Sequence, residues 1–444
     1  MRFQRVFRLA SIPALVFCLF AQTASAQGLL RDADIEYGLK QLAAPILAAA
    51  GLSSARVKVL VVNESSLNAF VIGTDAIFLH YGLINRMDNA AMLQGVIAHE
   101  AAHIANGHIA RRMNNFAAAR SAAGFGLAMA AVAAAAGASP EAASGILLGT
   151  QSSAMNRFLR HTRAEEASAD QSAVRYMRSA GVDPKGMSDV LQIFRGQELL
   201  AETRQDPYTR SHPFSRDRMR NLEGYVAAYS NGSADDPAAA YFFERIKGKL
   251  SAYTRSSKWT LRRIKESPYQ DVRYLRQAVA EHRQSRTTQA LRAIDSAIAL
   301  RPNDPFFYDQ KGQILLETRN FSGAVSAYGR AVQLAPNDPL ILSGYGRALL
   351  ISDRFKEAQQ VLEKARTIDF RDGTMLRDLS VAYARLGQNG MASLVTAERY
   401  ALSGRLKDAE IHAKRASGLL SVGSGPWQRA QDVLIAAERA AKRR

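Results

Sequence analysis

His99 and His103 stand four residues apart in the run His99-Glu100-Ala101-Ala102-His103. On an α-helix that spacing is one turn plus a small rotation, so both imidazoles leave the same face and can share one metal ion. Glu100 follows His99 directly, where its carboxylate can reach a water held at the same ion, as metal-assisted hydrolysis requires. Zinc has no ligand-field preference and suits two imidazoles and a carboxylate, so one zinc per chain is expected. A third protein ligand is needed. His108 lies five residues beyond His103, which on a continuing helix is about 140° around the axis and on the wrong face; a polar or core role is expected for it. Downstream, Arg163-Ala164-Glu165-Glu166-Ala167-Ser168-Ala169-Asp170 puts Glu166 and Asp170 four apart on one helical face. They are the better candidates, against the alternative of a solvated acidic helix start.

The elements that must hold these groups follow from periodicity. Residues 31–52 repeat apolar side chains at helical spacing, and Gly51 ends the run. Val57 to Asn63, then Asn68-Ala69-Phe70-Val71-Ile72-Gly73 and Ala76 to Ile84, read as short β-rich runs broken by polar turns, hence a small sheet. From Asn89 the pattern turns helical, and the two-histidine motif lies inside that helix. Ser121 to Pro140 carries no charge, and Ser139-Pro140-Glu141 reads as a helix start. An apolar, Ala-rich hairpin over 116–150 is therefore expected beside the site, touching membrane as a peripheral contact or acting as a lid, with core packing and a true membrane span as the alternatives.

The C-terminal half is repetitive. Pro302-Asn303-Asp304-Pro305 returns 34 residues later as Pro336-Asn337-Asp338-Pro339, Gly312 as Gly346, Phe321 as Phe355, and Ala297 as Ala331 and Ala365. That period, with small residues where helices cross, resembles tetratricopeptide repeats. Arg405 to Ala416 repeats the second-helix pattern out of phase, so an irregular or capping pair is expected at the end. The domain plan is a signal peptide at 1–26, a metallopeptidase domain at 27–232, a helical connector at 233–270 with no chemistry read in it, and a repeat domain at 271–444.

Composition narrows the class. Of 444 residues 47% are hydrophobic, enough for buried cores. Arg2, Arg5 and Arg8, an apolar run to Phe20 and Ala24-Ser25-Ala26 form an export leader with its cleavage site. The one cysteine, Cys18, lies inside that leader, so disulfides, thiolate zinc sites and cysteine catalysis are excluded for the exported chain. The net charge of +18 is spread along the chain without a long basic run, and with export it argues against nucleic acid as a partner.

His99 to His103, then Glu166-Ala167-Ser168-Ala169-Asp170, the stretch Ala180 to Met187 and Ser211-His212-Pro213 together resemble the gluzincin peptidases related to HtpX, LoiP and BepA. With repeats behind them the likeness is to the BepA type. The resemblance implies a mainly α protein, an α+β metallopeptidase domain with a small sheet followed by an α-solenoid of repeats. It also implies Glu166 as third zinc ligand and Asp170 as the partner that orients a ligating histidine. Glu165 would point elsewhere. His212 is implied to lie near the metal, capping its open position at rest or donating to the developing oxyanion, with a structural His-Pro as the alternative. Asn68-Ala69-Phe70 is the strand against which an extended substrate could lie. The function implied is a periplasmic zinc endopeptidase acting on unfolded or misassembled outer-membrane proteins, with the repeats as a contact for the β-barrel assembly machinery. The alternative is a chaperone in which client binding by the repeats dominates and the peptidase is latent.

Overall fold

The structure is a computed structural model that describes residues 28–112, 162–201, 204–213, 215–229 and 236–441. The leader expected at 1–26 and the hairpin expected at 116–150 lie outside the described residues.

The first half is built around one sheet and two buried helices. Strand β1 (Leu29–Leu30) leads into α1 (Ala33–Ala49), whose N-cap Asp32 accepts from the Ile35 amide. Strands β2 (Lys58–Val62), β3 (Ala69–Val71) and β4 (Ala76–His80) complete the sheet in the order β1-β2-β4-β3. β2 and β4 run parallel, and β3 pairs antiparallel with β4 in the register Ala69↔Leu79, Phe70↔Phe78, leaving β3 at the edge. The run from Ala76 to Ile84 is not all strand: Tyr81–Arg86 forms a short helix, α2. Leu83 and Ile84 are adjacent and both fully buried.

Helix α3 (Ala90–Ala105) carries the two-histidine motif and is capped by Asn89, whose side chain accepts from the Met92 amide. Every residue from Met92 to Ile104 is buried, so this helix is the centre of the domain rather than a surface element. Against it pack α4 (Arg163–Ser179), α5 (Lys185–Ile193) and α1, followed by the short α6 (Pro207–Ser211) and α7 (Arg216–Tyr229).

The stretch read as a connector is built into both halves. Helix α8 (Pro237–Thr254) places Phe243, Ile246 and Leu250 in the same core as α1 and α3. Two of its cations are buried with partners: Arg245 Nε lies on Asp34 Oδ1 and its Nη2 on Asp304 Oδ1 (3.0 Å), while Lys249 Nζ lies 2.9 Å from Asp32. These pairs join the first helix of the peptidase half to the repeats.

After α9 (Ser257–Arg262), helix pairs follow: α10 (Gln270–His282) with α11 (Thr287–Leu300), α12 (Pro305–Glu317) with α13 (Phe321–Leu334), α14 (Pro339–Ile351) with α15 (Phe355–Ile368), α16 (Gly373–Arg385) with α17 (Asn389–Leu402), and α18 (Leu406–Leu419) with α19 (Gly425–Ala441). The 34-residue period is a capping period. Asp304, Asp338 and Asp372 each accept from amides in the first turn of the helix that follows, with proline opening the first two. Gly312 and Gly346 are where paired helices touch: a Cβ would meet Tyr328 at 2.7 Å and Leu362 at 2.5 Å. The turn before α16 docks on the sheet, with Asp369 Oδ2 at 2.9 Å from Arg31 and 3.0 Å from Lys58, and Arg371 Nη1 at 2.9 Å from Asp75. Among the described residues no helix is long and apolar enough to cross a membrane.

Candidate metal centre

Helix α3 presents His99, Glu100 and His103 to one space, and α4 faces it with Glu166 and Asp170. Helix α4 is fixed at its start by a reciprocal cap: Thr162 accepts from the Glu165 amide while the Glu165 carboxylate accepts from the Thr162 amide. That cap, with an ion pair to Arg112 at 3.3 Å, turns Glu165 outward and leaves Glu166 pointing in. His212 enters from the end of α6.

His99, His103, Glu166 and His212 are all buried, and their ligand atoms lie within 4.8 Å of one another. The His99 and His103 Nε2 atoms are 3.0 Å apart. Glu166 Oε2 is 3.5 Å from His99 Nε2, and its Oε1 is 3.4 Å from His103 Nε2. His212 closes the remaining side: its Nδ1 is 3.1 Å from Glu166 Oε1 and 3.2 Å from His99 Nε2, and its Nε2 is 3.3 Å from the Ala69 carbonyl oxygen. The Glu100 carboxylate is completely buried, 3.3 Å from His212 Nε2, and neither of its oxygens makes a hydrogen bond.

The donor set fits a divalent cation. Two imidazoles and a carboxylate converge, and a second buried carboxylate without hydrogen bonds stands beside them, where polar groups are normally satisfied. The electrostatics agree. Burial alone would lower the His99 imidazole, but the facing Asp170 and Glu166 carboxylates lift it to about 10. Burial pushes the Glu100 carboxyl up, against the pull of His212 and His99. Burial would also raise Glu166, yet Arg218, His212 and His103 hold it well below the usual carboxylate range. His103 is lowered by its burial.

The nitrogens facing away from the space have partners too. His99 Nδ1 lies 2.9 Å from Asp170 Oδ1, the kind of outer carboxylate that fixes a ligating imidazole's ring and tautomer. His103 Nδ1 lies 2.9 Å from His108 Nδ1. His108 is thus not on the far side of a continuing helix. Helix α3 ends at Ala105, Gly107 takes φ +69°, and the chain folds back beneath His103. An Asn-Gly pair is a turn signal, and Asn106-Gly107 breaks the helix on which the 140° rotation was reckoned.

Arg218, on α7, was not singled out in the sequence. Its Nε and Nη2 clamp the two Asp170 oxygens at 2.6 and 2.9 Å, and its Nη1 reaches Glu166 Oε2. One signal was available: Arg218, Leu222 and Val226 recur at intervals of four and form the buried stripe of α7. Arg218→Met would leave two buried carboxylates without their shared cation, and removing one partner of such a network costs about 3–5 kcal/mol. A fall of that size is expected in the denaturation free energy of the full chain; an unchanged midpoint would contradict this account of the charge balance.

Asn68 and Ala69 lie at the edge-strand end of the site. Asn68 is buried, and its Oδ1 makes no hydrogen bond. Phe70 stacks on Phe78 at 5.2 Å on the neighbouring strand.

Residues 30–226 match the model of peptidase family M48, and residues 315–380 match a tetratricopeptide repeat. The beta-barrel assembly-enhancing protease of Yersinia pestis is 25% identical over 279 residues, 60% of this chain and 55% of its own. This chain therefore spans about half the length of that relative. The protein of the same name from Escherichia coli K12 is 23% identical over 377 residues, 82% of this chain and 74% of its own. A solved structure of MamA from Desulfovibrio magneticus aligns with 39% of this chain and 97% of its own, at 18% identity and a TM-score of 0.30. The chain carries a peptidase family M48 domain, which holds the His/Glu cluster, followed by tetratricopeptide repeats.

Proposed function

We propose that this chain is a zinc endopeptidase of the periplasm that cleaves unfolded or misassembled outer-membrane proteins during their assembly. The observation that carries the reading is the buried convergence of His99, His103, Glu166 and His212 with the Glu100 carboxylate, which makes no hydrogen bond, beside them. His99, His103 and Glu166 would hold one zinc. When bound, zinc supplies a Lewis acid that lowers the pKa of water to about 7 and polarises the scissile carbonyl. Glu100 acts as general base, taking a proton from the attacking water and passing it to the leaving amine. Its raised affinity for the proton, from burial, suits that shuttle.

His212 stands where the fourth side of the cluster would open, between Glu166, Glu100 and the Ala69 carbonyl. Two roles suit it: closing the site at rest, and donating a hydrogen bond to the oxyanion once substrate has displaced it. The edge strand β3 offers backbone to an extended segment, which would read main chain rather than sequence and so favour unfolded clients. Its edge position and the unpaired Asn68 Oδ1 support this. The repeats would hold the client or the assembly machinery, as the names of the Yersinia and Escherichia relatives suggest.

The test uses the full chain after removal of residues 1–26. Incubated with a urea-unfolded β-barrel membrane protein, it is expected to release fragments, to stop when zinc is chelated, and to resume when zinc is restored. Fragments that persist at full rate in excess chelator would overturn the reading.

A further inference from the structure

We infer that His108 is a positioning residue for His103, fixing the tautomer in which His103 Nε2 is free to bind metal. The inference rests on the reading of His103 as a zinc ligand and goes beyond it to a residue outside the ligand set.

The two candidate ligands on α3 have the same orientation and different supports. Both turn Nε2 toward the shared space, with 3.0 Å between those atoms. Behind His99 stands the Asp170 carboxylate, 2.9 Å from Nδ1 and itself clamped by Arg218. Behind His103 stands another imidazole, with Nδ1 facing Nδ1 at 2.9 Å. Both rings are buried, His103 at 0% and His108 at 2% exposure, so water cannot readily replace either side of this contact.

A neutral imidazole has one N–H and one bare nitrogen. If Nε2 of His103 gives its lone pair to a metal, its Nδ1 must carry the proton. The atom facing it at 2.9 Å must then be a bare acceptor, so His108 carries its own proton on Nε2. Two protonated or two bare nitrogens at that distance would repel. His108 therefore selects one His103 tautomer and fixes the ring plane, the task Asp170 performs for His99. The backbone is shaped for this. Gly107, at φ +69°, ends the helix and returns the next residue beneath the motif, a conformation that L side chains other than Asn or Asp rarely adopt.

The test is zinc affinity, measured on the full chain by competition with a chromophoric chelator. His108→Phe keeps the ring and removes the acceptor; His108→Asn keeps an acceptor on a shorter side chain. Loss of an outer partner of a ligating histidine weakens metal binding by about 10–100-fold, and that loss is expected for the Phe variant, with most of it recovered by Asn. A merely structural role would not be rescued by the less ring-like of the two. Zinc binding by His108→Phe at wild-type strength, or an Asn variant as weak as the Phe variant, overturns the inference. Should the Phe variant fail to fold, histidine-selective 15N NMR of the zinc-loaded wild type decides: a proton on His103 Nδ1 and a bare His108 Nδ1 are expected, and the reverse pattern overturns it. A wild type that binds no zinc is a separate outcome, which removes the metal reading and the inference with it.

Discussion

Glu100→Gln is expected to abolish peptide hydrolysis while leaving zinc content at one ion per chain. The carboxylate is fully buried beside the cluster and makes no hydrogen bond in the protein, so replacing one oxygen by an amide nitrogen keeps its shape and loses only the charge that faces His212 Nε2 at 3.3 Å. What it removes is the base. General-base catalysis contributes about a hundred- to ten-thousand-fold, and the amide cannot accept and return a proton. The expected result is a loss of that size in kcat on an unfolded substrate, with little change in KM and in metal content. Turnover retained near the wild-type level would refute the assignment of Glu100. The same variant separates the two functional readings. If the chain is chiefly a client-binding assembly factor, Glu100→Gln should still support β-barrel assembly in cells; if proteolysis is the task, both activities fail together.

The variants at Glu100 and Arg218 act on opposite sides of one charge balance. Glu166 and Asp170 are held as carboxylates by Arg218, and together they raise His99 to about 10. A site that holds a proton on an imidazole so strongly will also favour a divalent cation in its place. Zinc binding to His99 is accordingly expected to release a proton and to weaken as pH falls.

Much of the site was legible because it obeys a period. His99 with His103, and Glu166 with Asp170, are four-residue intervals on two helices, and such intervals survive folding as shared faces. The outward turn of Glu165 follows from the same geometry, aided by its capping bond to Thr162. The repeats were legible for a related reason: each Pro-Asn-Asp-Pro is a cap and a helix start, a local device that needs no tertiary context. What escaped depended on tertiary partners or on a break in the period. Arg218 sits in Arg216-Asp217-Arg218-Met219-Arg220, a run that reads as a solvated face until Leu222 and Val226 show which arginine is buried. Arg245 and Lys249 are hidden in the connector for the same reason, since buried cations look like surface ones until their aspartates are known. An unbroken helix would carry His108 to the far face, and one left-handed glycine, Gly107, brings it beneath His103 instead. His212 lies far from the motif in sequence, so only the family resemblance brought it near the site.

If His99, His103 and Glu166 together bind one zinc ion, the metal content of the purified chain will show it. Zinc is to be measured per chain in the wild type, in Glu166→Ala and in Glu165→Ala after dialysis against a weak chelator. Near-stoichiometric zinc is expected in the wild type, with retention in Glu165→Ala and loss in Glu166→Ala. Zinc retained at the wild-type level in Glu166→Ala would contradict it and move the third ligand to another residue.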